Sequence, residues 1–162
     1  MPAPLNMIHR EFAHDTRRPA AALATGMARV YQAIVTIERE ELDEAVTHFH
    51  SAASAFDEAA DQMDDLSLVE ARWEVREPEI FAVLVERFSE ISGSTPLGDR
   101  ALIDVLVAEV RSLASLTGST DRVTDTPEEQ ALLIGRILRQ AMKAEALGLL
   151  ATEISLVTSA RH

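Results

Sequence analysis

Cysteine is absent from the 162 residues, which removes disulfides, thiolate nucleophiles and Cys-ligated zinc or iron–sulfur centres from consideration. A chain with no thiol chemistry fits most simply in a reducing compartment, and a cytoplasmic location is expected. Met1 to Asp15 has no apolar run long enough for a signal-peptide core, and no stretch approaches the ~18 apolar residues of a membrane span. Export by that route and membrane insertion are therefore not expected. The hairpin dipeptides Asn-Gly and Asp-Gly are missing and no stretch alternates with a period of two, so strands have almost no support. Glycine and proline number six each. Neither occurs between Met27 and Glu77, an interval free to be helix almost throughout. There is also no Gly-x-Ser-x-Gly elbow, no Gly-rich phosphate cradle and no dinucleotide fingerprint, so no catalytic nucleophile and no cofactor site is assigned.

What is present in excess is negative charge. The chain carries −12, and Glu38 to Glu90 alone holds sixteen acidic residues against four arginines, a surplus equal to the whole imbalance. Such a field repels nucleic acid phosphates and anionic lipid and favours cations or a basic protein partner. The same charge also keeps a helical surface solvated.

Apolar residues recur at helical spacing. Pro19 suits a first helical position, and Leu23, Met27, Val30, Ile34 and Ile37 follow on one face. A second stripe runs through Leu42, Val46, Phe49, Ala53, Phe56, Ala60 and Met63. The phase slips across Glu38 to Glu41, which allows a tight helical hairpin or one long helix with a stutter. The hairpin is preferred, because an unbroken helix from Pro19 to Asp65 would be about 70 Å long. Ser67 with Glu70 reads as a capping box for a short stretch through Trp73. Pro78 then opens a helix with Ile80, Phe81, Leu84, Phe88 and Ile91 inward, stopped by Gly93. Leu102, Leu106, Val110 and Leu113 mark the next face, which Gly118 ends. Thr126-Pro127-Glu128-Glu129 starts a final helix towards Thr158. The expected fold is all-α: an antiparallel bundle of five to six helices beginning with a long hairpin. Residues 1–18 would form an N-terminal arm and 19–160 a single domain.

One acidic constellation carries chemistry. Glu40-Glu41-Leu42-Asp43-Glu44 is followed, after positions 45 to 57, by Glu58-Ala59-Ala60-Asp61. This resembles the EExxE…ExxD signature of the all-α nucleoside-triphosphate pyrophosphatases, the MazG and phosphoribosyl-ATP pyrophosphohydrolase group. The resemblance implies that Glu41, Glu44, Glu58 and Asp61 ligate Mg²⁺, a hard cation that prefers oxygen ligands and activates water for attack on phosphorus. Four such ligands must converge from two helices. One unbroken helix would hold Glu41 and Glu58 about 25 Å apart, whereas a break near Ser51 or Ser54 would let them meet.

Histidine offers partial patterns. Glu44 and His48 lie one helical turn apart, and Glu11 with His14 has the Glu-x-x-His spacing of carboxylate-bridged bundles, but neither has the further ligands a metal centre needs.

The last helix is apolar over most of its circumference from Ala144 to Val157 and must be surrounded. It is either the central helix of the bundle or a surface shared with a second chain. On the second view Leu147, Leu150, Ile154 and Val157 form a homodimer interface. The functional expectation is a non-enzymatic helical interaction protein, a scaffold, adaptor, chaperone or immunity-type partner, using the acidic second helix. The alternative is the Mg²⁺-dependent pyrophosphatase.

Overall fold

The computed structural model describes the backbone of residues 3–63, 67–123 and 126–159, and the side chains of 19–63, 67–120 and 126–158. Among these residues there are six helices and no strand: α1 (Ala3–Glu38), α2 (Leu42–Asp61), α3 (Leu68–Glu74), α4 (Pro78–Ser92), α5 (Asp99–Val123) and α6 (Pro127–Ser159). The all-α bundle is as expected.

The phase slip after Ile37 is a hairpin. The amide of Glu40 donates to Ile37 O (2.9 Å) and that of Glu41 to Thr36 O (2.8 Å), the paired bonds that close a helix when the residue after its cap turns left-handed. That residue is Glu40, at φ 61°, a conformation that glycine adopts at much lower cost. The chain reverses here, and α2 returns along α1.

Four helices close a ring in the order α1, α2, α5, α6. Inter-helix contacts fix their directions. Arg100 and Arg111 of α5 pair with Asp61 and Asp57 of α2, and Gly118 stands beside Val46, so α5 runs antiparallel to α2. Gln140 and Lys143 of α6 bond Ser112 and Glu109 of α5, so α6 runs back again. The result is an up-down-up-down bundle. Its core is formed by Leu23, Val30 and Ile37 of α1, Phe49 and Phe56 of α2, Leu102, Leu106, Val110 and Leu113 of α5, and Ile137, Leu147 and Ile154 of α6, all with no exposed surface.

Between α2 and α5 the chain makes an excursion through α3 and α4. It leaves and returns at one point, where Leu68 N–H donates to Leu97 O (3.1 Å) and Ser67 bridges Gly98. α4 lies against α6 and contributes the buried Phe81 and Phe88. Gly93 caps α4 at φ 77°, and Thr126 Oγ1 accepts the Glu129 amide at the start of α6 (3.2 Å), both as the sequence indicates.

Several expectations are corrected. α1 begins at Ala3, so Pro19 lies inside the helix and does not open it. The side chains of the expected arm lie outside the described residues. α5 continues past Gly118 to Val123: an internal glycine costs a helix only about 1 kcal/mol, and the buried Thr117 and Thr120 just around it anchor the last turns. Ser67 is the N-cap of α3 but makes no side-chain cap bond. Ile80 is half exposed and does not point inward. Finally, Pro19–Glu38 is long and apolar enough, by length and composition, to cross a membrane, which the sequence reading did not anticipate. Here its Leu23, Val30, Ala33 and Ile37 are buried in the bundle core.

Candidate functional site

α2 is one unbroken helix from Leu42 to Asp61. No break occurs near Ser51 or Ser54, because Ala52, Ala53, Ala55 and Phe56 are buried on the side that packs into the bundle and hold the turns there together. Glu41 is the N-cap and Glu44 lies in the first turn, while Glu58 and Asp61 lie in the last. A rise of 1.5 Å per residue puts the two pairs about 25 Å apart. Asp61 is further committed to Arg100 of α5 at 3.3 Å, and Glu58 accepts a bond from Gln62 (3.3 Å). The four carboxylates therefore do not converge on one ion. Among the described residues no group of three or more Asp, Glu and His side chains is placed to hold a metal. The side chains of Glu11 and His14 lie outside the described residues.

The four apolar residues expected to face a second chain face this one. Leu147 and Ile154 have no exposed surface, and Leu150 and Val157 pack partly buried against the core. The apolar side chains of α6 that do meet solvent are Leu132, Met142, Leu149 and Leu156. A helix apolar nearly all round does not disclose which of its faces is covered.

Between α1 and α2 an open groove of about 520 Å³ runs past Thr25 and Arg29 on one side and His50, Ser51, Ser54 and Glu58 on the other. Its donors are not organised for nucleophilic chemistry. The Arg29 guanidinium is bonded to Gln32 at 2.9 Å, and among the described residues no hydrogen bond joins His50 to either serine.

The most distinctive surface is one end of the bundle. The directions of the four ring helices bring the end of α1, the start of α2 and the start of α6 to the same pole. Glu38, Glu40, Glu41, Asp43, Glu44, Glu128 and Glu129 are all exposed there, and among the described residues Arg39 is the cation beside them. Asp43 and Glu44, like Glu128 and Glu129, occupy helix first turns, where the positive end of the helix dipole favours them. Glu38 and Glu40 have no such local reason. They stand at the negative end of α1, which has no basic residue in its last turn, and Glu41 makes no side-chain cap bond. At the opposite end of α2, by contrast, Asp57 and Asp61 are matched by arginines of α5.

Compared with protein-family models, with curated proteins and with solved structures, the chain matches none.

Proposed function

We propose that this chain is a non-enzymatic helical interaction module whose acidic pole engages a basic partner protein. The observation that supports this reading is the placement of Glu38, Glu40 and Glu41. Glu38 and Glu40 sit where the dipole of α1 and the surrounding carboxylates raise their energy, Glu41 at the start of α2 is crowded by the same carboxylates without a cap bond, and a partner's lysines or arginines would relieve this repulsion. Dipole effects favour the other acidic residues of the pole but not Glu38 and Glu40. The acidic second helix contributes through its first turn only, since its last turn is engaged with α5.

Capture from native lysate tests the reading. The wild-type chain should retain a basic protein at low salt and release it at high salt, because exposed charges are screened beyond about 8 Å at physiological ionic strength. The triple variant Glu38→Gln, Glu40→Gln, Glu41→Gln should lose that partner. An identical set of captured proteins with both chains would refute the proposal.

A further inference from the structure

The outer ridge of α6 is self-complementary, and we infer that two copies of this chain pair antiparallel along it. This goes beyond the acidic-pole reading and does not depend on it. Met142, Leu149 and Leu156 are spaced by seven residues and are 63%, 54% and 54% exposed, so they form one line along the helix. Arg139, Ala146 and Glu153 form a second seven-residue line, displaced by four residues and so lying beside the first. Arg139 and Glu153 are exposed and make no ion pair among the described residues.

Place a two-fold axis at Ala146 and run the second helix in the opposite direction. Residues whose numbers lie equally far on either side of 146 then face each other. Arg139 meets Glu153 of the second copy, and Glu153 meets its Arg139, both about 10 Å from the axis at 1.5 Å per residue. Met142, four residues before the axis, comes within one residue's rise, about 1.5 Å, of the level of Leu149 of the second copy, three residues beyond it. One layer further out, Leu156 comes within one residue's rise of the level of Gly135 of the second copy, where a β-carbon would have nothing within 4 Å and a large side chain has room. On the axis itself stands a small residue facing its own copy, which allows the helices to approach closely. Opposite charge meets opposite charge, large meets small, and apolar meets apolar, twice each, as an isologous interface requires. A parallel pairing would set Arg139 against Arg139 and Glu153 against Glu153. Because the helices oppose each other, the two acidic poles point away from one another, so the charge that suits a basic partner does not oppose the pairing.

The test is light scattering coupled to size exclusion on the full chain at about 100 µM, a concentration at which weak association is populated by mass action. The wild type should have the mass of two chains. Arg139→Glu and Glu153→Arg should each weaken pairing at least about a hundredfold, since each places like charges together at two layers, and each should elute as a single chain with unchanged circular dichroism. Mixing the two variants restores both opposite-charge layers, so a mixed dimer should form. The double variant should dimerise with itself. Ala146→Arg, at the axis, should give a folded single chain. A wild type with the mass of one chain would overturn the inference. So would a dimer that tolerates the reversals or Ala146→Arg, or reversed variants that neither mixing nor combination reunites.

Discussion

α1 and α2 approach most closely where Gly26 faces the ring of Phe56, and adding one carbon there tests the packing directly. A β-carbon at Gly26 would stand 2.6 Å from Cδ1 and 2.8 Å from Cζ of Phe56, distances that van der Waals repulsion forbids. The ring is fully buried and cannot turn away into solvent. Either the helices separate or the ring leaves its rotamer, and overpacking of this kind costs about 1–3 kcal/mol. Alanine returns up to about 1 kcal/mol through its better helix propensity, so Gly26→Ala should destabilise by about 2 kcal/mol if the steric term lies at its upper end. Gly118→Ala supplies the opposite sign. Its added carbon would meet only Val46 Cγ2 at 3.9 Å, an ordinary contact, so the propensity gain of about 1 kcal/mol stands alone. In a domain of this length each kcal/mol moves the melting temperature by about 2–4 °C. Gly26→Ala should therefore melt about 4–8 °C below the wild type and Gly118→Ala about 2–4 °C above it. Urea unfolding followed by circular dichroism, at matched protein concentration, measures both. Combining Gly26→Ala with Phe56→Leu should cost less than the two single changes added, because the smaller side chain admits the new carbon. A Gly26→Ala protein as stable as the wild type would show that α1 and α2 do not meet there.

Three further outcomes follow from other parts of the fold. Glu40→Gly should stabilise the protein by up to about 1 kcal/mol in denaturant titration, because it relieves a left-handed residue with a β-carbon in the α1–α2 turn. Leu147→Ala should cost about 2–5 kcal/mol by leaving a cavity in the core, whereas Leu149→Ala, two residues on and half exposed, should change the single chain by less than about 0.5 kcal/mol. Mg²⁺ at millimolar concentration should produce no saturable rise in melting temperature, since Glu41 and Glu44 are far from Glu58 and Asp61. A saturable rise abolished by Glu44→Gln with Asp61→Asn would overturn the proposed function in favour of the pyrophosphatase.

Features decided within a few residues were legible in the sequence. Pro78 and Gly93 bound α4, Thr126 caps α6, and the phase slip after Ile37 is a turn, because capping and stripe phase are local properties. The core stripes of α1, α2 and α5 were legible for the same reason. Signals that depend on neighbours distant in sequence were not. Gly118 looks like a stop, yet the packing around Thr117 and Thr120 carries the helix through it. The side of α6 that turns inward depends on where α1, α5 and α4 lie, and nothing in an all-round apolar helix records this. The sequence therefore allows Leu147 and Leu150 to be either core or interface, and it is Leu149 that is exposed. The pairing of Arg100 and Arg111 with Asp61 and Asp57 spans 39 and 54 residues, so the division of the acidic helix into a neutralised end and a charged end appears only once α5 is in place.

The clasp between Leu68 and Leu97 makes the α3–α4 excursion a detachable unit of topology. The last turn of α2 and the first turn of α5 are already side by side, held by Asp61 and Arg100. Helix connections in bundles commonly need only 2–8 residues, so a short loop would join α2 to α5 and leave the ring closed in the same up-down order. The bundle thus has a socket between Asp61 and Arg100. Whatever is threaded through that socket sets the direction of no helix in the ring, so its length can vary as long as it still covers the flank of α6, as the buried Phe81 and Phe88 of α4 do.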